Sequence, residues 1–349
     1  MLLALTSAFG MSQAYRTVAA ILAPPLQVDF GLSASQLGVF AGAFHFAFGG
    51  MQLFIGVGID LYGVRRTLLA AFPLAIAGSA LSALAGNFSQ LLLGQVLIGL
   101  GCAPAFLVCT IFIARHFPPA GYAGYSGLVM AIGGGGLLFT GTPMAWMVEA
   151  SSWRIAFWVL AFGSALAWLV VQAQVHEERL AGTPATPTRT EGAPHPPRES
   201  PWAALRGFGA LLKLPHTWGI VLFAAVGYAS FLTLRGLWLG PMLIARHGFS
   251  IVESGHVAFV VSLVSLAGPP LFGRLDPGRP ARRLWLIGFS LLYAALFALL
   301  AWGGSGLVDV GLIIVIGLIS GYLVLQYSEV RDAYPAHLTG RAMSLFTMA

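Results

Sequence analysis

The sequence predicts an all-α integral membrane protein made of two parallel six-helix pseudo-repeats, the second of them cut short. Three observations predict it. Hydrophobic residues make up 58% of the chain and charged residues 9%, with a mean hydropathy of +0.84; a soluble domain carries about 25% charge. Ten apolar stretches are long enough to cross a hydrocarbon core, which takes about 20 residues: 2–24, 36–58, 67–86, 88–114, 125–148, 154–175, 216–240, 252–273, 284–303 and 308–328. A signpost also occurs twice: Arg16, Pro24, Gly31-Leu32-Ser33 and Gly38 return as Arg235, Pro241, Gly248-Phe249-Ser250 and Gly255, with the glycines 217 residues apart.

The first span holds Arg16, eight residues before Pro24 and thirteen before Asp29, so at ~1.5 Å per residue it lies roughly 12–20 Å below the outer boundary, near midplane. The span opens at Leu2 without a basic leader and does not read as a cleavable signal. The second span carries His45 ten residues in. The third follows a basic loop, and the fourth contains LLLGQVLIGLG with Cys102 and Cys109 on one face. Those two Cα atoms would stand about 10 Å apart, too far for a disulfide, so helix packing accounts for them. The fifth span contains IGGGGLLFTGTP, whose glycines Gly133 to Gly136 suit close helix packing. The sixth opens on SSWRIAFW and completes a bundle over residues 1–175.

Residues 176–215, rich in Pro, Thr, Arg and Glu, cannot bury a core and read as a linker. Within it Trp202 to Lys213 is either an amphipathic surface helix or a plain lead-in to the seventh span. That span carries Arg235, six residues before Pro241 and eleven before Arg246, at a depth similar to that of Arg16. Spans eight to ten follow. The sequence then reads YPAHLTGRAMSLFTMA to Ala349, where an eleventh span would begin. The expectation is a second bundle over 216–349 with helices 7–10, the start of helix 11, and a truncated C-terminal half.

The net charge of +6 does not indicate nucleic acid, because of where the cations sit. Of 18 Lys and Arg, 14 fall in alternate loops or the linker, whereas Arg154 and Arg246 lie on the other side. The positive-inside rule then places the N-terminus and the linker in the cytoplasm. A GC-rich composition with one lysine suggests a bacterial inner membrane.

Gly56 and Asp60 after the second span correspond to Gly273 and Asp276 after the eighth. An even number of spans separates the copies, which gives a parallel repeat about an axis along the membrane normal. The string GVGIDLYGVRR, Gly56 to Arg66, resembles the loop 2–3 motif of the major facilitator superfamily, Gly-x-x-x-Asp-Arg-x-Gly-Arg-Arg. Gly56, Asp60, Gly63 and Arg65 match, while Leu61 and Val64 replace basic residues. LLLGQVLIGLG, SSWRIAFW and TGRAMSLF add to the resemblance along the chain. It implies that Asp60 with Arg65 and Arg66 forms a gate, with Gly273 and Asp276 as its second copy. Arg66 is also readable as a topology anchor at anionic lipid. Gln95 stands where the family often has arginine, and the antiporter motif of helix 5 survives only loosely, which disfavours drug/proton antiport.

An ionisable group at midplane costs several kcal/mol unless it faces water or a partner. The acids Asp29, Asp60, Glu149, Glu253, Asp309 and Glu329 all fall near helix ends or in loops. Two readings stand for Arg16 and Arg235: a site for an anionic substrate, whose oxygens suit a planar fork of donors, or pairing with carbonyls and end carboxylates. Tyr15-Arg16 with Pro24, and Leu234-Arg235 with Pro241, resemble helices 1 and 7 of the organophosphate/phosphate antiporters and anion/cation symporters. In the former those arginines bind the substrate phosphate. His45 is either the carrier of a coupling proton, its free imidazole titrating near 6.5, or a hydrogen-bonded structural histidine. Gln13, Tyr15, Gln95, Tyr228, Tyr322 and Gln326 are candidate polar companions.

The sequence shows no nucleotide loop, metal-ligand cluster or nucleophile–base pair, so neither an enzyme nor a cofactor is expected. The leading expectation is a monomeric secondary transporter of a small organic or phosphorylated anion, working by alternating access with a coupling proton or counter-anion, in contact with membrane lipid. The alternatives are a transporter-like receptor for an anion and an inactive truncated carrier.

Overall fold

The computed structural model describes residues 1–117, 122–176, 211–334 and 345–346; within these, the side chains of residues 53, 56, 57, 60, 61, 114, 115, 122–124, 126, 127, 279, 280, 327, 328, 331 and 332 are outside the described set. The elements are α1 (Leu2–Thr17), α2 (Ala19–Phe30), α3 (Ala34–Ala83), α4 (Phe88–Cys102), α5 (Pro104–His116), α6 (Tyr122–Phe139), α7 (Thr142–Ala150) and α8 (Trp153–Gln174). After the linker come α9 (Pro215–Thr233), a π turn (Leu234–Trp238), α10 (Leu239–His247), α11 (Ile251–Arg274), α12 (Arg279–Trp302), α13 (Gly306–Ile319), a 3-10 turn (Ser320–Leu323) and α14 (Val324–Ala333).

The repeated Gly-x-Ser signpost is a helix stop followed by a helix start. Gly31 (φ 61°) ends α2 and Gly248 (φ 69°) ends α10 in the left-handed region, which only glycine enters without a steric cost. Two residues on, Ser33 and Ser250 each open a helix with a capping box. The Ser33 N–H donates to Gln36 Oε1 at 2.9 Å and the Gln36 N–H donates back to Ser33 Oγ at 3.3 Å; Ser250 and Glu253 do the same at 2.7 and 3.1 Å. Each box satisfies two amides that the first helical turn leaves unbonded. The next reversal repeats too: Gly63 (φ 84°, ψ 170°) breaks α3, and Gly278 (φ 81°, ψ 170°) caps α12.

Eight described stretches are long and apolar enough to cross a membrane. The predicted first span is absent from them because it breaks at Val18 into helices of 16 and 12 residues, and the second includes side chains outside the described set. Where the sequence predicts one fourth helix, the ladder is interrupted at Ala103, since Pro104 has no N–H to donate. Large apolar side chains such as Phe46 (84% exposed), Leu307 (88%) and Trp302 (92%) face outward. That distribution fits a lipid environment.

The described chain divides into two compact units. The first comprises Met1–Arg16, Leu26–Leu137 and Ser151–Ala203; the second comprises Thr17–Pro25, Leu138–Ala150 and Ala204–Ala349. The core of the first is built from Leu5, Phe9, Ile55, Phe72, Val108 and Ile113, and in it the backbone of Gly136 lies against the Gly10 carbonyl. This is the close packing expected of the helix 5 glycines. The core of the second is built from Leu239, Leu243, Val261, Ile313 and Ile316. In it Gly240 of α10 lies against the Ala20 carbonyl of α2, and a Cβ on Gly141 would stand 2.8 Å from Phe259 Cβ of α11. The proposed surface helix at 202–213 and the TGRAMSLF motif fall largely outside the described residues.

Candidate functional site

Arg16 occupies the last turn of α1, just before the ladder breaks at Val18, whose carbonyl accepts from both the Ile21 and Leu22 N–H groups at 3.1 Å. Its guanidinium carbon stands 4.7 Å from the centroid of Phe48, a cation–π contact with α3. Its buried Nε has no hydrogen-bond partner among the described residues. One turn before Phe48, His45 puts Nδ1 3.0 Å from its own helix's Ala41 carbonyl. A carbonyl can only accept, so Nδ1 carries the hydrogen and the neutral ring keeps its lone pair on Nε2. That atom is buried and without a partner. Phe44 stacks on Phe48 and meets His45 edge-on, fixing this face of α3.

The predicted companions in this unit divide. Gln95 is buried on α4, and among the described residues its Nε2 has no hydrogen-bond partner. Tyr15 is turned into the bundle, its hydroxyl 3.1 Å from Ser164 Oγ of α8. Gln13 is half-buried one turn below Arg16.

Arg235 sits inside the π turn that joins α9 to α10 and is 1% exposed. Its Nε donates to Ser262 Oγ of α11 at 2.9 Å, and Ser262 passes its own hydrogen to the Ala258 carbonyl at 2.7 Å. The serine hydroxyl is therefore oriented with its lone pairs toward the cation. Tyr322 stacks on Phe289 and shares a 2.9 Å hydrogen bond with Ser290, which makes it part of an aromatic core with Tyr293. Gln326 is buried, and among the described residues its Nε2 has no hydrogen-bond partner, whereas Tyr228 is 45% exposed.

Three of the acids at the helix ends are held by other cations. Asp29 accepts from Trp153 Nε1 at 2.7 Å and pairs with Arg154 at 3.4 Å, which gives the SSWRIAFW motif a structural role. Asp309, wholly buried, accepts from Arg246 (3.0 Å), His247 (2.8 Å) and the Gly304 N–H (3.1 Å). Glu329 pairs with Arg283 at 2.7 Å. Sequence reading missed the Asp309 cluster, because its partners lie 62 and 63 residues away on another helix.

Of the gate residues, the Gly56 and Asp60 side-chain environments lie outside the described residues. Gly63 supplies the helix break, and Arg65 Nη2 donates to the Gln172 carbonyl at the end of α8, 3.2 Å away, where a cation suits the helix dipole. Arg66 is exposed. In the second copy Asp276 accepts from the Gly278 N–H at 3.0 Å and from Arg282 Nε and Nη2 at 3.0 and 2.9 Å. At Gly273 no atom of the described residues lies within 4 Å of where a Cβ would be, so none of them packs closely on it.

The Major Facilitator Superfamily model matches residues 4–349. The hexuronate transporter of Bacillus subtilis is 29% identical over 164 residues, 47% of this chain and 39% of that protein. A probable sulfoacetate transporter of Cupriavidus necator is 28% identical over 153 residues, 44% of this chain and 35% of the relative. The chain thus aligns with well under half the length of each. Among solved structures, a bacterial homolog of the human lysosomal transporter Spinster superposes with a TM-score of 0.76 over 99% of this chain and 78% of the other, at 21% identity. That likeness concerns the fold, and it agrees with the family match along the whole sequence. This multi-pass membrane chain belongs to the major facilitator superfamily.

Proposed function

We propose that the protein is a secondary transporter of a small organic anion, that Arg16 and Arg235 bind the anionic head, and that it works by alternating access. The observation that carries this reading is Arg16. It is a guanidinium in the last turn of an apolar helix, and among the described residues its Nε has no partner, while Asp29, Asp276, Asp309 and Glu329 are each engaged by another cation. A cation at that depth is expensive and needs a use. Its planar fork suits a carboxylate, sulfonate or phosphate. Hexuronate and sulfoacetate, named for the two relatives, carry such heads.

In the same reading His45 and Gln95 line the Arg16 side, with Gln326 and Tyr228 on the Arg235 side. Gly56, Asp60, Gly63, Arg65, Arg66, Gly273 and Asp276 make up the cytoplasmic gate. Residues 1–175 and 216–349 act as the two moving halves, joined through the cytoplasmic linker 176–215, in a bacterial inner membrane.

Thermal stability of the purified protein tests the proposal, with D-glucuronate, sulfoacetate, inorganic phosphate and glucose as ligands. A ligand at about 100 times its dissociation constant stabilises by about 2.7 kcal/mol. The expected result is stabilisation by one or more anions, lost in both Arg16→Gln and Arg235→Gln. Stabilisation by glucose alone, or anion stabilisation that survives both substitutions, overturns it.

A further inference from the structure

We infer that the anion is a hydroxylated one, a hydroxy acid or sugar acid, and that His45 selects it by accepting a hydrogen bond at Nε2 from a hydroxyl of the solute. The inference rests on the anion reading of Arg16 and adds to it the chemistry of the solute beyond its head.

Arg16 and His45 meet one face of α3. The guanidinium carbon of Arg16 stands 4.7 Å from the centroid of Phe48, Phe48 stacks on Phe44 at 5.9 Å, and Phe44 meets the His45 ring edge-on at 5.1 Å. His45 and Phe48, three residues apart, are neighbours on the helix surface. From the other side α4 closes on the same stretch: Gly99 lies against the Phe44 carbonyl, and Gln95 is one turn before it. Arg16, His45 and Phe48 are all half-buried.

The bond at one ring nitrogen sets the chemistry of the other. Nδ1 lies 3.0 Å from the Ala41 carbonyl, which only accepts, so Nδ1 carries the hydrogen of the neutral ring. Among the described residues no carboxylate bonds to His45, and an uncompensated charge in a membrane-spanning helix is unfavourable, so the ring is neutral and Nε2 presents a lone pair. That atom is buried and has no partner among the described residues. A histidine that serves packing alone normally has both nitrogens bonded, because a buried unpaired acceptor costs free energy.

The donors of the same unit leave this lone pair alone. Arg16 Nε and Gln95 Nε2 have no partner among the described residues, Gln52 Nε2 donates to the Ala103 carbonyl at 3.1 Å, and the Tyr15 hydroxyl is engaged by Ser164. Two donors and one acceptor thus share a bundle without satisfying one another. A solute that serves all three needs acceptor oxygens for the guanidinium and the carboxamide, which an anionic head supplies, and an O–H for the imidazole. A bare carboxylate or sulfonate brings acceptors only, and its lone pairs would repel the one on Nε2.

Matched acids test this by calorimetric titration of the purified protein: D-glucuronate against tetrahydropyran-2-carboxylate, which keeps the ring and the carboxylate without the hydroxyls, and L-lactate against propionate. In a pair that binds, the hydroxylated acid is expected to be at least about tenfold tighter. His45→Phe, which keeps an aromatic ring against Phe44 but has no lone pair, is expected to bring the two affinities together by weakening the hydroxylated acid alone. His45→Gln, whose amide oxygen accepts, is expected to keep part of the difference. Equal affinities within a pair in the wild type, or tighter binding of the bare acid, overturn the inference and leave the anion site standing, and this outcome needs no variant to fold. A preference undiminished in a folded His45→Phe overturns it equally. If none of the four acids binds the wild type, the anion reading falls, and the hydroxyl contact with it.

Discussion

At the scale of single residues, two buried polar contacts have a measurable weight. Asp309 has no exposed side-chain surface and accepts from Arg246, His247 and a backbone amide. Its replacement by Asn keeps the shape but removes the charge, and hydrogen bonds to charged groups are worth roughly 1.5–3 kcal/mol. Asp309→Asn is therefore expected to lower the melting temperature in detergent by several degrees, with the loss read against wild type in the same buffer. Ser262→Ala acts on ligand binding instead. It removes the hydroxyl that holds Arg235 Nε, and a loss near 1.4 kcal/mol corresponds to about tenfold weaker anion binding. An affinity unchanged in this variant would show that Ser262 does not position the guanidinium. Of these two contacts the sequence shows only the ends. Arg16 and Arg235 are conspicuous as cations in apolar runs, but one sequence does not fix helix rotation. For that reason the partners of Tyr15 and Tyr322, named only as candidate polar companions, could not be read from the sequence; the structure bonds them to Ser164 and Ser290.

At the scale of elements, the repeat is written in punctuation. Gly63 and Gly278 share a backbone conformation that is nearly confined to glycine, and forcing another residue into it costs about 1–3 kcal/mol. Gly63→Ala and Gly278→Ala are each expected to destabilise by that amount in thermal or denaturant melts. Gly273→Ala, in a helix with open space at its Cβ, is expected to be neutral or to stabilise by up to about 1 kcal/mol. Equal losses at all three positions would refute the backbone explanation. These stops and starts were legible in the sequence, because Gly-x-Ser at matching positions is a local signal of helix end and cap. The breaks at Val18, in the π turn and at Thr140–Gly141 were not. Each falls inside a stretch long and apolar enough overall to read as one span, so hydropathy does not mark it, although Gly141 and Pro143 flag the last of them locally.

At the scale of the whole molecule, orientation is the property the sequence predicts most simply, from the side on which arginines collect. It can be checked with a membrane-impermeant maleimide. The native Cys102 and Cys109 are buried, so background labelling is low. Ser151→Cys, at an exposed turn before α8, is expected to label in intact cells, and Ser200→Cys, in the linker, only after the membrane is opened; the reverse pattern would invert the topology. The two helices that carry the central cations share one further property. Arg16 is followed within two residues by a break in the ladder, the boundary between the compact units falls directly after it, and Arg235 lies within a π turn. A rod bends most easily where its internal bonding is already interrupted. On the proposed reading a solute grips each of these helices where its ladder is already interrupted, so tightening around the anion and bending of the helix fall at the same place.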